Sequence, residues 1–527
     1  FQSMETITSP TTTEAREYIL LYASCEYAQF RFAEFVSLAG LFDCRFGVVF
    51  TGIDRERQLI ANYSQQQPIW SDELFSDTPT NAGVHDWTGV AAEASIGNNK
   101  LQLCSTWWRS RSVVCILCED EIKLRQVVKR SALIKSLLRV WQSTSCLLTM
   151  LNHVTNGELA PYLAEASSGF DNGAWTRWRM CIELVNVSAA MDFKVGIVDQ
   201  FGEAGLDMPG QVDLKKPEFE LYYLEHWRYD LTAGAVTDKT PVRVYLAPKL
   251  CSGQSRAALH NLSLSRRIFI GNTSMNVQLA FIMCNLARVS PGQLVVDPFV
   301  GSGSILVSAG YLGAYCLGQD VDYNIVFGLG KSTKAEMRRQ KRTEDERLSA
   351  NFAQYGISNR FVDCLVGDAS QHVGLWRHSA LFDTVLTDPP YGIRERSRKV
   401  KRDPDGGPKK LDENYFPPKE HYSLGDSVSD LLGFCAMRLV PGGRCVYWFP
   451  VIQSEYKGAD SLPVHPCLQL IASVELPMTH RTARVMVCVQ RLPMIDTPEL
   501  VAMASNGATI VNHDHHQLRS SHYSRKK

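Results

Sequence analysis

Short apolar runs alternate with longer amphipathic stretches along most of this chain. Residues 17–23 (EYILLYA) are rich in Tyr, Ile and Leu and predict a strand. "FAEFVSLAGLF" has helical apolar spacing, and "FGVVF" and "RSVVCILC" predict further strands. Residues 55–100 are polar, contain Gly and Asn, and read as an irregular insertion. From Glu121 to Trp141, apolar Ile122, Leu124, Val127, Val128, Leu133, Ile134, Leu137 and Leu138 recur at helical spacing, which predicts one amphipathic helix. "TRWRMCIELVNV", Phe219 to Tyr223 and "PVRVYLAPKL" predict three more strands.

The pattern changes near residue 265. Helix 276–288, strand 294–296, a Gly-rich turn, helix 304–311, strand "AYCLGQD", helix 324–355, strand 362–366 and strand "FDTVLTD" follow in turn. A long polar loop, helix 426–438, strand "GRCVYWFP" and strands near 468–474 and 484–490 complete the series. Strands alternating with helices predict a doubly wound α/β sheet. The domain reading is an N-terminal α+β module at 14–150, a second region with its linker at 151–265, an α/β domain at 266–495 and a polar tail at 496–527.

Composition narrows the class without naming it. The chain has 527 residues, 45% apolar and 21% charged, with 55 basic and 55 acidic side chains. These values exclude global disorder, coiled coil and collagen, and zero net charge excludes a chain that coats nucleic acid by bulk electrostatics. No apolar run reaches the roughly 18–20 residues of a membrane helix. The 15 cysteines are scattered, mostly inside apolar runs, and read as reduced thiols of a cytoplasmic or nuclear protein. Cys115 and Cys118 in "CILC" sit among Val113, Val114, Ile116 and Leu117. A buried strand is the better reading than a zinc or redox pair, and no metal site is expected. Phe1-Gln2-Ser3 reads as a protease-site scar ahead of Met4.

Four motifs carry chemistry. Asp297-Pro298-Phe299-Val300-Gly301-Ser302-Gly303-Ser304 follows a buried strand and opens a helix, so its backbone can approach a ligand. It lacks the third glycine of G-x-G-x-x-G, which disfavours a dinucleotide. Asp297 at the strand end suits a cationic ligand, and S-adenosylmethionine carries an ammonium and a sulfonium. Asp320 closes the next strand, where an acid can accept both ribose hydroxyls; Asp322 is the weaker candidate. Gly367-Asp368-Ala369 closes the third, where a carboxylate can accept from an adenine amine. Each aspartate alone could be a helix N-cap, but three stand at successive strand ends. Thr387-Asp388-Pro389-Pro390-Tyr391-Gly392 closes the fourth. Two prolines fix the backbone and remove donors, leaving the Asp388 carboxylate and the Pro389 carbonyl as acceptors. Two acceptors around an exocyclic amine aim its lone pair at an electrophilic methyl, and Tyr391 can stack on the base. A base inside a stem would have to be flipped out to reach them.

In this order, "DPFVGSGS", "GQDVDYN", "GDAS" and "TDPPYGIRE" resemble the class I amino methyltransferases. "RRIFIGNTSMNVQLAFIMCNLA", "LVPGGRCVYWFPV" and "HPCLQLIASVE" bring the chain closer to the catalytic subunits of eukaryotic tRNA (guanine-10-N2-)-methyltransferases. "VDLKKPEFELY" resembles their THUMP region. The resemblance covers about residues 110–490. It implies a Rossmann-like methyltransferase sheet preceded by a ferredoxin-like module and a THUMP domain. It also implies S-adenosylmethionine as cofactor, tRNA as substrate and a small zinc-binding activator subunit as partner. Cofactor roles fall on Asp297, Phe299, Gly301, Gly303, Asp320, Asp368 and Ala369, with Asn272 and Thr273 near the methionine end. Asp388, Pro389, Pro390 and Tyr391 would hold the target amine. Lys215 and Lys216, and Arg394, Arg396, Arg398 and Lys399 from the long loop, are the RNA-contact candidates. Residues 394–410 hold eight basic and three acidic side chains, which fits either a solvated loop or a basic flap against phosphates. The alternatives are an amino methyltransferase acting on rRNA or DNA, and a non-catalytic RNA-binding scaffold.

Overall fold

The computed structural model describes residues 15–23, 27–49, 69–70, 108, 111–169, 175–227, 229–230, 235–236, 240–254, 256–271, 273–329, 346–377, 379–391, 397–401 and 418–493. The expected tail, most of the 55–100 insertion, and Asn272, Gly392, Arg394 and Arg396 lie outside them. The chain forms two compact units. The first is built from residues up to 255; the second holds 256 onward and takes in residues 29–38.

In the first unit, β1 (Arg16–Tyr22), β2 (Phe46–Val49), β3 (Ile69–Trp70), β4 (Val113–Cys118), α2 (Glu121–Arg130) and β5 (Ile134–Arg139) come first, while most of α1 (Arg31–Leu41), between β1 and β2 in the chain, is counted in the second unit. β6 (Gln142–Thr144), α3 (Leu147–Thr155), α4 (Ala160–Ser168), β7 (Arg177–Val185), α5 (Met191–Glu203), β8 (Gln211–Val212), β9 (Phe219–His226), the ribbon β10 (Tyr229–Asp230) with β11 (Ala235–Val236), and β12 (Arg243–Ser252) follow. One sheet runs β3-β2-β4-β1-β5-β12-β9-β7-β8, with β6 also on β12. Its β2-β4-β1-β5 portion is antiparallel throughout, as in a βαββαβ ferredoxin-like module. Because β12 pairs with both β5 and β9, the expected division at residue 150 falls inside this sheet. Period-2 alternation explains its two cores. Ile19, Leu21, Val113, Cys115, Tyr222, Leu224, Tyr245 and Ala247 share one cluster. Phe219, Leu221, Tyr223, Val244 and Leu246 join the other, with Trp175 stacked on Phe219 at 3.9 Å.

The predicted helix 121–141 is corrected here. α2 starts at an Asp120 cap that accepts from Lys123 N–H at 2.9 Å, and it ends at Arg130. Ser131 turns extended, and its hydroxyl accepts from the N–H groups of Leu133 and Ile134. Leu137 and Leu138 then enter β5, between β1 and β12, where both faces are buried. Cys115 and Cys118 are buried in β4, as expected.

The second unit contains α6 (Arg256–Asn261), α7 (Val277–Leu286), β13 (Leu294–Asp297), α8 (Ser304–Tyr311), β14 (Tyr315–Asp320), α9 (Tyr323–Val326), α10 (Leu348–Gln354) and β15 (Phe361–Val366). α11 (His372–Leu375), β16 (Phe382–Thr387), the hairpin β17 (Arg398–Val400) with β18 (Lys419–His421), α12 (Leu424–Arg438), β19 (Leu439–Ile452), β20 (Leu468–Pro477) and β21 (Thr482–Arg491) complete it. The predicted helix 324–355 is also corrected: α9 stops at Val326 and Gly328 turns to φ +67°. The sheet order is β15-β14-β13-β16-β19-β21-β20, parallel except for β21, which runs antiparallel to both neighbours. From β13 the chain goes first to β14 and β15 on one side, then to β16 and β19 on the other. That reversal opens a crevice at the carboxyl ends of the strands, where ligands of such sheets bind. Val296, Val385, Cys445, Tyr447, Val485 and Val487 fill the core behind it.

Candidate active site

The glycine-rich turn sits at the reversal. Gly301 and Gly303 take φ of +48° and +70°, a region other residues enter at a cost of about 1–2 kcal/mol. A Cβ on Gly303 would lie 1.9 Å from Leu348 Cδ1. The turn is held from the end of β14: Val300 N–H donates to the Gln319 carbonyl at 2.9 Å, and Gly301 N–H to Asp320 Oδ2 at 2.9 Å. Gly271 and Ser274 pack beside it. Ser274 Oγ is 2.6 Å from Ser302 Oγ and accepts from Gly271 N–H at 2.8 Å. Thr273, next to Ser274, is exposed.

Three acids stand at the strand ends. Asp297 is fully buried; its Oδ1 accepts from Thr387 Oγ1 at 2.6 Å and from Phe299 N–H at 3.0 Å. Burial pushes its carboxyl up to about 7, against the pull of those two donors, and nearby Asp320 and Asp388 add to the rise. Asp320 Oδ1 accepts from Asp322 N–H at 2.8 Å, while Asp322 caps α9. Asp368 Oδ1 accepts from Ser370 N–H, with Ala369 buried on the intervening turn. Its Oδ2 accepts from Val400 N–H at 2.5 Å. A carboxylate offers about four lone-pair directions, so both acids keep capacity for hydroxyl or amine donors. Gln319, beside Asp320, donates nothing from its buried Nε2, while its Oε1 accepts from Trp376 Nε1 at 2.9 Å. A positive-φ cradle, a row of acids and this orphaned amide fit an adenosyl cofactor with a cationic end.

Asp388-Pro389-Pro390-Tyr391 follows β16 directly, with Pro389 buried and the other three partly so. Thr387, the residue before it, ties this turn to the cofactor side through Asp297. Sequence reasoning quoted Thr387 in the motif but gave it no role. It missed Arg484 entirely. Arg484 Nη1 lies 3.7 Å from Asp388 Oδ2, and the guanidinium sits 4.1 Å above the Trp448 ring. Burial, with the Asp388 charge next in size, pushes the Tyr391 hydroxyl well above its ordinary value.

The RNA-contact candidates do not form one group. Lys215 and Lys216 are exposed on a turn in the first unit, where both N–H groups donate to Asp213 Oδ1. In the second unit, Arg398 is exposed on β17. Lys399 turns inward to Asp426 at 3.4 Å and lies over the Tyr422 ring. Lys419 Nζ donates to the Val321 carbonyl at 3.0 Å, so the ends of the long loop form a hairpin set against Asp368 and Val321.

Strand order, glycine turn and the two-acceptor motif together define a class I methyltransferase domain, and the family comparisons agree. A model described as an RMKL-like methyltransferase domain matches residues 265–403, and one described as the Tmrp11 THUMP N-terminal domain matches residues 88–255. Over 406 residues the chain is 35% identical to mouse tRNA (guanine(10)-N(2))-methyltransferase TRMT11, covering 76% of this chain and 84% of that protein. The human TRMT11 shares 34% over the same fractions, and the Schizosaccharomyces pombe enzyme 31% over 66% and 68%. The chain belongs to the tRNA (guanine(10)-N(2))-methyltransferase family. Among solved structures it aligns with TrmN from Thermus thermophilus at 16% identity, over 85% of this chain and all of that one, with a TM-score of 0.35.

Proposed function

We propose that this chain methylates the 2-amine of guanosine 10 in tRNA with S-adenosylmethionine. The observation that carries the reading is the Asp388-Pro389 acceptor pair standing one residue beyond Thr387, which reaches back to Asp297 on the cofactor side. Gly301, Gly303 and Asp297 would hold the methionine end, Asp320 the ribose and Asp368 the adenine. The cofactor supplies an electrophilic methyl. Asp388 and the Pro389 carbonyl accept from the two amine hydrogens, which turns the nitrogen lone pair out of the base plane. As the nitrogen becomes methylated, Asp388 would take up the amine proton it already holds by a hydrogen bond or pass it to solvent. No cysteine nucleophile is needed, because the amine itself attacks.

A small zinc-binding activator subunit would complete the enzyme. Its best surface is the edge of β15, which among the described residues pairs only with β14 and exposes Val362, Leu365 and Val366. Val373, Leu375 and Phe327 are exposed too. An open apolar sheet edge is an aggregation liability unless a partner covers it. Reduced cysteines support a cytoplasmic site of action, and among the described residues no helix is long and apolar enough to cross a membrane. Mass spectrometry of nucleosides from tRNA incubated with cofactor and the chain, with and without activator, tests the reading. N2-methylguanosine at position 10 is expected, and Asp388→Ala should abolish it while cofactor binding persists. Full activity of Asp388→Ala would refute the role assigned to it.

A further inference from the structure

An enzyme acting on the 2-amine of guanine must reject other bases that carry an exocyclic amine. Guanine's Watson–Crick edge offers two donors, N2–H and N1–H, then one acceptor, O6. Adenine and cytosine place a ring acceptor beside their amine, so the edge itself carries the identity. Resting on the function proposed above, we propose that Arg484 is its specificity-determining residue, donating to O6 while the Asp388 carboxylate accepts from N1–H and N2–H. Asp388 and Arg484 would thus present acceptor, acceptor and donor, the array that cytosine presents to guanine in a base pair.

The placement follows from the sheet. Asp388 leaves the carboxyl end of β16, whose Thr387 is level with Tyr447 of β19, and Arg484 enters on β21 level with Pro450. Both side chains therefore stand at the same edge, three neighbouring strands wide. Trp448 is fully buried beneath the guanidinium and is met edge-on by Phe30, at 6.1 Å between ring centres. That floor fixes the cation's height. The separation of 3.7 Å from Asp388 exceeds a hydrogen bond, so the guanidinium is not spent on a two-pronged clamp. Its Nε is buried and, among the described residues, has no hydrogen-bond partner, while the guanidinium also reaches the Tyr391 hydroxyl. An arginine carries five donors in a rigid fork, and one held beside rather than on the carboxylate can address the atom next to N1–H.

The test uses the full chain with its activator and tRNA carrying guanine or 2-aminopurine at position 10. 2-Aminopurine keeps the 2-amine but lacks O6 and, with it, the N1 hydrogen, so the readout for Arg484 is how far its substitution changes the preference. Wild-type enzyme should prefer guanine in kcat/KM. Arg484→Met should lose tenfold or more on guanine and little on 2-aminopurine, so the preference shrinks by about the same factor; Arg484→Lys should restore part of it. Cofactor affinity by calorimetry should stay unchanged, and Arg484→Gln carries the same comparison if the Met variant does not fold. Equal slowing on both substrates would overturn the proposal and leave Arg484 a mere support for Asp388. A wild-type enzyme that methylates guanosine 10 with no preference over 2-aminopurine would also overturn it, without touching the proposed function. No methylation of guanosine 10 at all would defeat that function first, and the Arg484 assignment with it.

Discussion

Asp297→Asn separates what the site needs from what the fold prefers. The side chain is 1% exposed and carries its carboxyl up from 3.8 to about 7. At about 1.4 kcal/mol per unit, holding it ionised in the folded chain costs about 4 kcal/mol. Asparagine keeps the shape, and its oxygen still accepts from Thr387 and Phe299. Below pH ~4 the acid is protonated in both folded and unfolded chains, and the two proteins should be equally stable. Between pH ~4 and ~7 the folded chain holds a proton that the unfolded chain has released. The wild type therefore loses stability as pH rises, while Asp297→Asn does not. Above pH ~7 the gap should level off near its full value, roughly 10 °C in melting temperature for a unit of this size. Differential scanning of both proteins from pH 4 to 8 reads it. Effects of Asp320 and Asp388 titrating are common to both and largely cancel. The variant should also bind S-adenosylmethionine at least tenfold more weakly. Parallel pH profiles would refute the reasoning, since they would mean that Asp297 is not a buried, raised carboxyl.

Further outcomes follow from single distances. Gly303→Ala should cost about 2–4 kcal/mol, because positive φ and the clash with buried Leu348 add. Gly301→Ala meets nothing within 4 Å and should cost only about 1 kcal/mol; equal melting temperatures would contradict the geometry. Replacing both Lys215 and Lys216 by Glu should weaken tRNA binding and lower its salt slope by about 2, measured by filter binding at several salt concentrations. Val362→Glu with Leu365→Glu should abolish co-purification with the activator while leaving cofactor affinity intact.

How much of this could be read from sequence depended on where the signal lies. The four strand-end motifs were legible because each is a local run after an apolar strand, and a doubly wound sheet collects such ends at one edge. The helix expected over 121–141 failed because Leu133, Ile134, Leu137 and Leu138 satisfy helical spacing as well as a strand buried on both faces. No Gly or Pro marks the break, and only Ser131, bonding forward to two N–H groups, makes it. Helix α5 was hard to read for another reason, since it leaves Met191, Phe193 and Val195 exposed. Arg484 was invisible for a different reason. It sits in an ordinary alternating strand, and its meaning comes only from β21 lying beside β19 and so near Asp388. The inward turn of Lys399 was equally hidden, because its partner Asp426 is on α12.

The clustering of acids explains why stability and function should oppose each other here. Asp297, Asp320 and Asp388 converge at one sheet edge, and the latter two both push the Asp297 carboxyl upward. Arg484 lies beside Asp388, whereas among the described residues the donors to Asp297 are neutral, the Thr387 hydroxyl and the Phe299 N–H. A hydrophobic or amide substitute at 297 would suit the empty fold better. A row of carboxylates kept at this cost is useful only if a cation relieves it, and then binding strength and destabilisation share one cause. The same reasoning separates the two ends of the crevice. At the cofactor side, among the described residues, the buried Asp297 carboxyl is met by a hydroxyl and a backbone N–H, dipoles that favour a positive ligand there. At the base side the negative charge is balanced by Arg484, which favours a neutral one with mixed donors and acceptors. A guanine fits that second description, and a phosphate fits neither.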